Sequence, residues 1–143
     1  MSRLCFKYQK FFDKLVDDGL QMPHLFAPND INAFRFVFSD DESKNHLPVL
    51  VINPRRVLPD TLKYSGYALS CYDNEDKAVE RYLDLCKINK KMPLTLGNAL
   101  SSGHLHNSDG MISAIEPHTR HFDFYEYESC NLSQSFTIKR KLS

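Results

Sequence analysis

The sequence lacks tryptophan, has only 5 glycines in 143 residues, and carries no net charge, with 18 Lys and Arg against 18 Asp and Glu. Zero net charge argues against a general nucleic-acid or membrane-surface binder, which would show a basic excess. Gly66 stands alone before a strand, so neither a P-loop nor a dinucleotide fingerprint is present. No apolar run approaches the roughly 20 residues that span a bilayer. Met1-Ser2-Arg3 leads into a segment with Lys7, Lys10 and Asp13, unlike a signal peptide. Cys5, Cys71, Cys86 and Cys130 form no CxxC pair, which leaves zinc-ribbon and thioredoxin-like readings without support. Reduced thiols and a cytoplasmic location are expected.

What is present suits a single domain over residues 1–143. Hydrophobic residues make up 42% and charged residues 25%, with 10 Phe and 7 Tyr, enough for one real core. Leu4, Tyr8, Phe11, Phe12 and Leu15 recur at helical spacing, predicting a helix over 4–18 that stops at Gly19. Ala33–Phe38 alternates as a strand with Phe34, Phe36 and Phe38 on one face. Residues 39–45 read as a solvated hairpin loop, and Leu47–Ile52 as a central strand because both its faces are apolar. Tyr67–Tyr72 is a further strand. Asp73 or Asn74 then caps a helix reaching Ile88, with Ala78, Tyr82 and Leu85 buried. Thr95–Leu100 reads as a short helix, and 104–118 as an irregular loop turning at Asp109-Gly110. Strands over 121–128 and 136–138 complete an α+β domain: a mostly antiparallel sheet of four to five strands with two main helices.

Four constellations could carry chemistry. His104, His106, His118 and His121 lie within one 18-residue segment, and neutral imidazoles are common metal ligands. They match no recognised zinc spacing, so they stand as candidates and no metal site is assigned. Glu126 and Glu128, two apart on a strand, project to the same side, as paired carboxylates for acid–base work do. Phe122 and Phe124 precede them on that side, which places the carboxylates where the strand leaves a core shared with Phe34, Phe36, Phe38 and Tyr82. Ser70 sits where a strand feeds a helix N-terminus, but Leu69-Ser70-Cys71 lacks the glycines of a nucleophile elbow. Arg55-Arg56, Lys90-Lys91 and Lys139-Arg140-Lys141 are basic runs that could meet phosphates.

Residues 65–72, Ala78, Tyr82, Gly97, Asp109-Gly110 and 121–128 together resemble small bacterial cytosolic proteins without an assigned role. That resemblance implies an accessory component of a mobile-element or defence locus. Arg35, Ser70 and the pair Glu126 and Glu128 also resemble, in their order, the arginine, serine strand and Glu-x-Glu of ADP-ribosyltransferases. This second resemblance implies NAD as cofactor. Arg35 would hold its phosphates, Ser70 would position the nicotinamide side, Glu128 would stabilise an oxocarbenium-like transition state and Glu126 would activate the acceptor. The leading expectation is a non-enzymatic binding or regulatory protein with no cofactor. It would act through a protein partner, with His121, Tyr125 and Tyr127 and the loop 103–118 as its surface. The NAD-using enzyme is the alternative, and a nucleic-acid binder a further one.

Overall fold

The computed structural model describes residues 5–143. Among these residues six antiparallel strands form one sheet in the order β4-β5-β2-β1-β3-β6. They are β1 (Ile31–Val37), β2 (Leu69–Tyr72), β3 (Ala99–Leu105), β4 (Gly110–Ile112), β5 (His121–Glu126) and β6 (Thr137–Lys141). The helices are α1 (Gln9–Asp17), α2 (Val49–Ile52), α3 (Glu75–Ile88), α4 (Met92–Thr95) and α5 (Leu132–Ser135). The α+β class and the antiparallel sheet stand as expected; the sheet has six strands, and three single-turn helices join the two main ones.

Register decides which side chains share a face, because alternate residues of a strand point to opposite sides. Ala33, Leu69, Cys71, Leu105, Ile112, Phe122 and Phe124 line one face and are covered by Cys130, Leu132 and Phe136. Phe34, Tyr72 and Leu100 line the other beneath Ala78 of α3, while Tyr125 and Ala68 meet Phe12 and Leu15 of α1 there. We call these the α5 face and the α3 face. Phe122 and Phe124 therefore do not share a core with Phe34, Phe36 and Tyr82, contrary to expectation: a sheet one residue thick separates them. Phe38 lies beyond the end of β1.

The helix from Asn74 forms as predicted. The Asn74 side chain accepts from Lys77 N–H at 2.9 Å, and Glu75 and Asp76 complement the dipole in the first turn. The first helix begins at Gln9, not within residues 4–8, and Leu4 lies outside the described residues. Leu47–Ile52 is not a strand. Pro48, with φ of −63°, precedes the single turn of α2, which tucks Leu50 against Gly66. Thr95–Leu100 is not a helix either. Gly97, at φ +130°, reverses the chain between α4 and β3, and seven residues of β3 pair with all seven of β1. Tyr82 on α3 reaches this reversal and donates to Gly97 O at 2.8 Å.

Candidate functional site

Glu126 ends β5 on the α5 face and is buried, with 3% of its surface exposed. One carboxylate oxygen accepts from Lys7 Nζ at 2.7 Å; the other, Oε1, has no hydrogen-bond partner. Lys7 also donates to Cys130 O at 2.7 Å. It is carried by a strap, residues 5–7, laid along the end of β5: Lys7 N–H donates to Glu126 O, Glu128 N–H to Cys5 O, and Phe6 bridges Tyr127. Burial raises the Glu126 pKa, while Lys7 and then Arg35 pull it back. Burial and the nearby Glu126 push the Cys130 thiol up to about 12, so it stays protonated.

Arg35, in the middle of β1, is 7% exposed, and each of its three nitrogens donates to the chain itself. Nη1 donates to Ser70 O at 2.6 Å, Nη2 to Asn45 O at 2.9 Å, and Nε to His46 Nδ1 at 3.2 Å. The guanidinium thus staples the loop around residue 45 to β2, which is the work of a planar fork with fixed donors. Burial, with the Arg35 charge beside it, lowers the His46 pKa to about 4, so the ring is neutral. Since Nδ1 accepts from Arg35, the ring proton sits on Nε2. A cavity of about 330 Å³ opens beside it, lined by Glu42, His46, Ser101, Phe136, Thr137 and Ile138 among others.

The remaining expected site residues are dispersed. Ser70 lies on the α3 face, opposite to Arg35 and Glu126, and its Oγ is 2.8 Å from His121 Nε2. Asp123 Oδ1 is 3.7 Å from that same nitrogen, so serine and aspartate meet one ring nitrogen and no relay of the Ser-His-Asp type is formed. Glu128 is exposed in the turn after β5, not beside Glu126, and plays no part in the Glu126 shift. The expected pair of carboxylates emerging together from the core is therefore absent. Tyr125, 2% exposed, packs on α1, and Tyr127 is half-buried against Phe6. The expected recognition strand β5 is internal, between β4 and β2. His106 pairs with Asp30 at 2.5 Å, and the hydrogen bond to that carboxylate outweighs desolvation and raises the imidazole pKa. Among the described residues, no group of three or more His, Cys, Asp and Glu could hold a metal ion, so His104, His106, His118 and His121 do not assemble into one.

The two sheet edges differ. Phe26 covers β4, exchanging backbone hydrogen bonds with Ile112 at 2.8 and 2.9 Å. Among the described residues β6 pairs with β3 on one side and has no strand on the other, and all five residues of Thr137–Lys141 are exposed. Lys139 and Arg140 reach Glu75 at 2.8 and 3.7 Å. Lys7, His46 and this edge are the features that sequence reasoning missed. Lys7 read as one more helix residue, and His46 fell between the loop 39–45 and the segment 47–52 with no role assigned; the run Lys139-Arg140-Lys141 was the one visible signal.

The chain matches no family model, no curated protein and no solved structure. No helix among the described residues is long and apolar enough to cross a membrane.

Proposed function

We propose that the chain is a non-enzymatic binding module that takes an extended, acidic segment of a protein partner as an added strand along β6. The observation that carries this reading is the contrast between the edges: β4 is covered by Phe26, and among the described residues no strand or bridge covers the outer side of β6. Free N–H and C=O groups on an edge strand are a template for strand addition. Lys139, Arg140 and Lys141 supply the preference. Two copies of this edge repel each other, whereas an acidic segment is attracted. A triple charge reversal, Lys139→Glu, Arg140→Glu and Lys141→Glu, tests it by co-purification of native complexes. Loss of the partner from a normally folded variant is expected. A partner retained in full by that variant, or native preparations that hold only the free chain, would defeat the proposal. A shift of DNA or RNA that weakens with salt would instead favour a nucleic-acid role for the same residues.

One observation favours an NAD-using transferase as a second reading: β1, β2 and β5, which carry Arg35, Ser70 and Glu126, are neighbours at the centre of the sheet. The side chains do not fit the expected cofactor site. Arg35 gives its donors to the chain's own carbonyls and His46, and Ser70 projects from the opposite face. On the α5 face Cys71 stands where Ser70 was expected. Labelled NAD that is neither transferred nor hydrolysed by wild type would end this reading.

A further inference from the structure

Between α3 and α4 the chain turns a corner at residues 87–94. Asn89 closes it: its N–H donates to Leu85 O at 2.9 Å, its side-chain oxygen accepts from Lys91 N–H at 2.9 Å, and its carbonyl accepts from Met92 N–H at 3.0 Å. The turn leaves Met92 and Pro93 half-buried, while Ile88 and Leu94 are each 79% exposed. Exposed aliphatics scattered singly are ordinary. These two share one corner with Lys87, Lys90 and Lys91, all exposed. Lys87 stands 4.0 Å from Asp84. Among the described residues neither Lys90 nor Lys91 has an ion-pair partner. No Asp or Glu occurs between Asp84 and Asp109, so the corner is basic and apolar with no acidic residue in it.

That composition selects among partners. Bare aliphatics beside cations match an anionic bilayer, which takes apolar tips at its acyl boundary and lysines at its phosphates. Single-stranded nucleic acid calls for aromatic platforms on which bases stack. Protein interfaces favour aromatics and Arg and are depleted in Lys. Residues 83–98 contain neither an aromatic residue nor Arg. A second copy of the same corner would bring like charges together. The zero net charge of the whole chain does not oppose a local attraction, because salt screens exposed charges beyond about 8 Å.

We propose that residues 87–94 dock on the surface of an anionic lipid bilayer, with Ile88 and Leu94 entering the acyl boundary and Lys87, Lys90 and Lys91 on the headgroup phosphates. The attachment is peripheral and reversible, since two aliphatic tips and three lysines fall far short of a spanning segment. Each lysine near such a surface strengthens attachment about fivefold. The corner shares no residue with β6, so it goes beyond strand addition and does not depend on it.

The lack of tryptophan supplies the reporter, because Leu94→Trp puts the only indole of the full chain at the corner. Val57→Trp is the comparison: Val57 is 90% exposed beside Arg55 and Arg56, a second spot that is both apolar and basic. Each variant is titrated with vesicles of phosphatidylcholine alone and of phosphatidylcholine mixed equally with phosphatidylserine, at about 0.15 M salt. Leu94→Trp emission should move to the blue with the mixed vesicles only, and Val57→Trp should stay unmoved. The wild-type chain should sediment with the mixed vesicles and not with phosphatidylcholine. Adding Lys90→Glu and Lys91→Glu to Leu94→Trp should weaken the response at least tenfold, and adding Ile88→Ser about fivefold. All three positions are exposed, so circular dichroism and thermal midpoints should match the parent and separate lost docking from lost folding. An unmoved Leu94→Trp, an equal response to phosphatidylcholine alone, or a larger response from Val57→Trp would overturn the proposal. So would a response to an oligonucleotide or to polyglutamate that vesicles fail to produce.

Discussion

Lys7→Met removes the counter-charge of a buried carboxylate while keeping the length of the side chain. Breaking a fully buried ion pair by deleting one partner costs about 3–5 kcal/mol. Lys7 is 30% exposed along its side chain, so water already screens part of that pair, and about 2 kcal/mol is expected here. For a domain of this size that is a fall in Tm of roughly 4–8 °C. The cost should depend on pH, and its sign follows from the raised Glu126 pKa. A carboxyl with a raised folded pKa favours the folded state most below its unfolded value, near 4.3, and loses that contribution as pH rises through the folded value. Without Lys7 the folded value rises further, so the variant should be nearly as stable as wild type at pH 4 and fall behind by pH 8. Urea midpoints at the two pH values measure this. Glu126→Gln, which needs no counter-charge, should cost about 1 kcal/mol at either pH, because an amide group then takes the unpartnered Oε1 position. A deficit in Lys7→Met that is the same at pH 4 and pH 8 would refute the reasoning.

His46 should act in the opposite direction. Its folded pKa of about 4 lies below the unfolded value near 6.5, so its contribution is present above 6.5 and is lost as pH falls toward 4. Allowing for partial exposure, this loss is about 2 kcal/mol, and His46→Phe should flatten the stability profile across that window. Gly97→Ala should cost about 3 kcal/mol or prevent folding, since φ is +130° and a Cβ would stand 2.5 Å from Val37 O; near-normal thermal unfolding would contradict the chain reversal described for that residue. Tyr82→Phe should lower stability by about 1 kcal/mol by removing the buried bond to Gly97 O, measured by urea unfolding.

The parts of the fold legible in the sequence are those set by local chemistry. Asn74 caps α3 because its side chain competes for a nearby N–H, and that competition needs no tertiary information. The alternation around Phe34 and Phe122 is likewise a property of the strand alone. Leu47–Ile52 was misread because a short run that is apolar throughout has no period to separate strand from helix. Ala99–Leu105 was missed because Ser101, Ser102 and Gly103 carry no strand signal; pairing with β1 and β6 imposes the extended form. The candidate site shows the same division. Glu126 stood out by its place after two phenylalanines, but its partner Lys7 is 119 positions away and no local pattern links them. Arg35 drew attention as a strand arginine, yet its role depends on Asn45 and His46 folding back over β1. The resemblance grouped Ser70 with Glu126 from their order along the chain, whereas strand parity sends them to opposite faces.

That distance between Lys7 and Glu126 has a consequence for biosynthesis. A ribosome adding about 5–20 residues per second takes roughly 6–24 s to cover 119 positions. Throughout that interval Phe6 and Phe12 have been made, and Tyr125, against which both pack, has not. The nascent chain therefore holds an aromatic cluster half-built and wetted until β5 is synthesised.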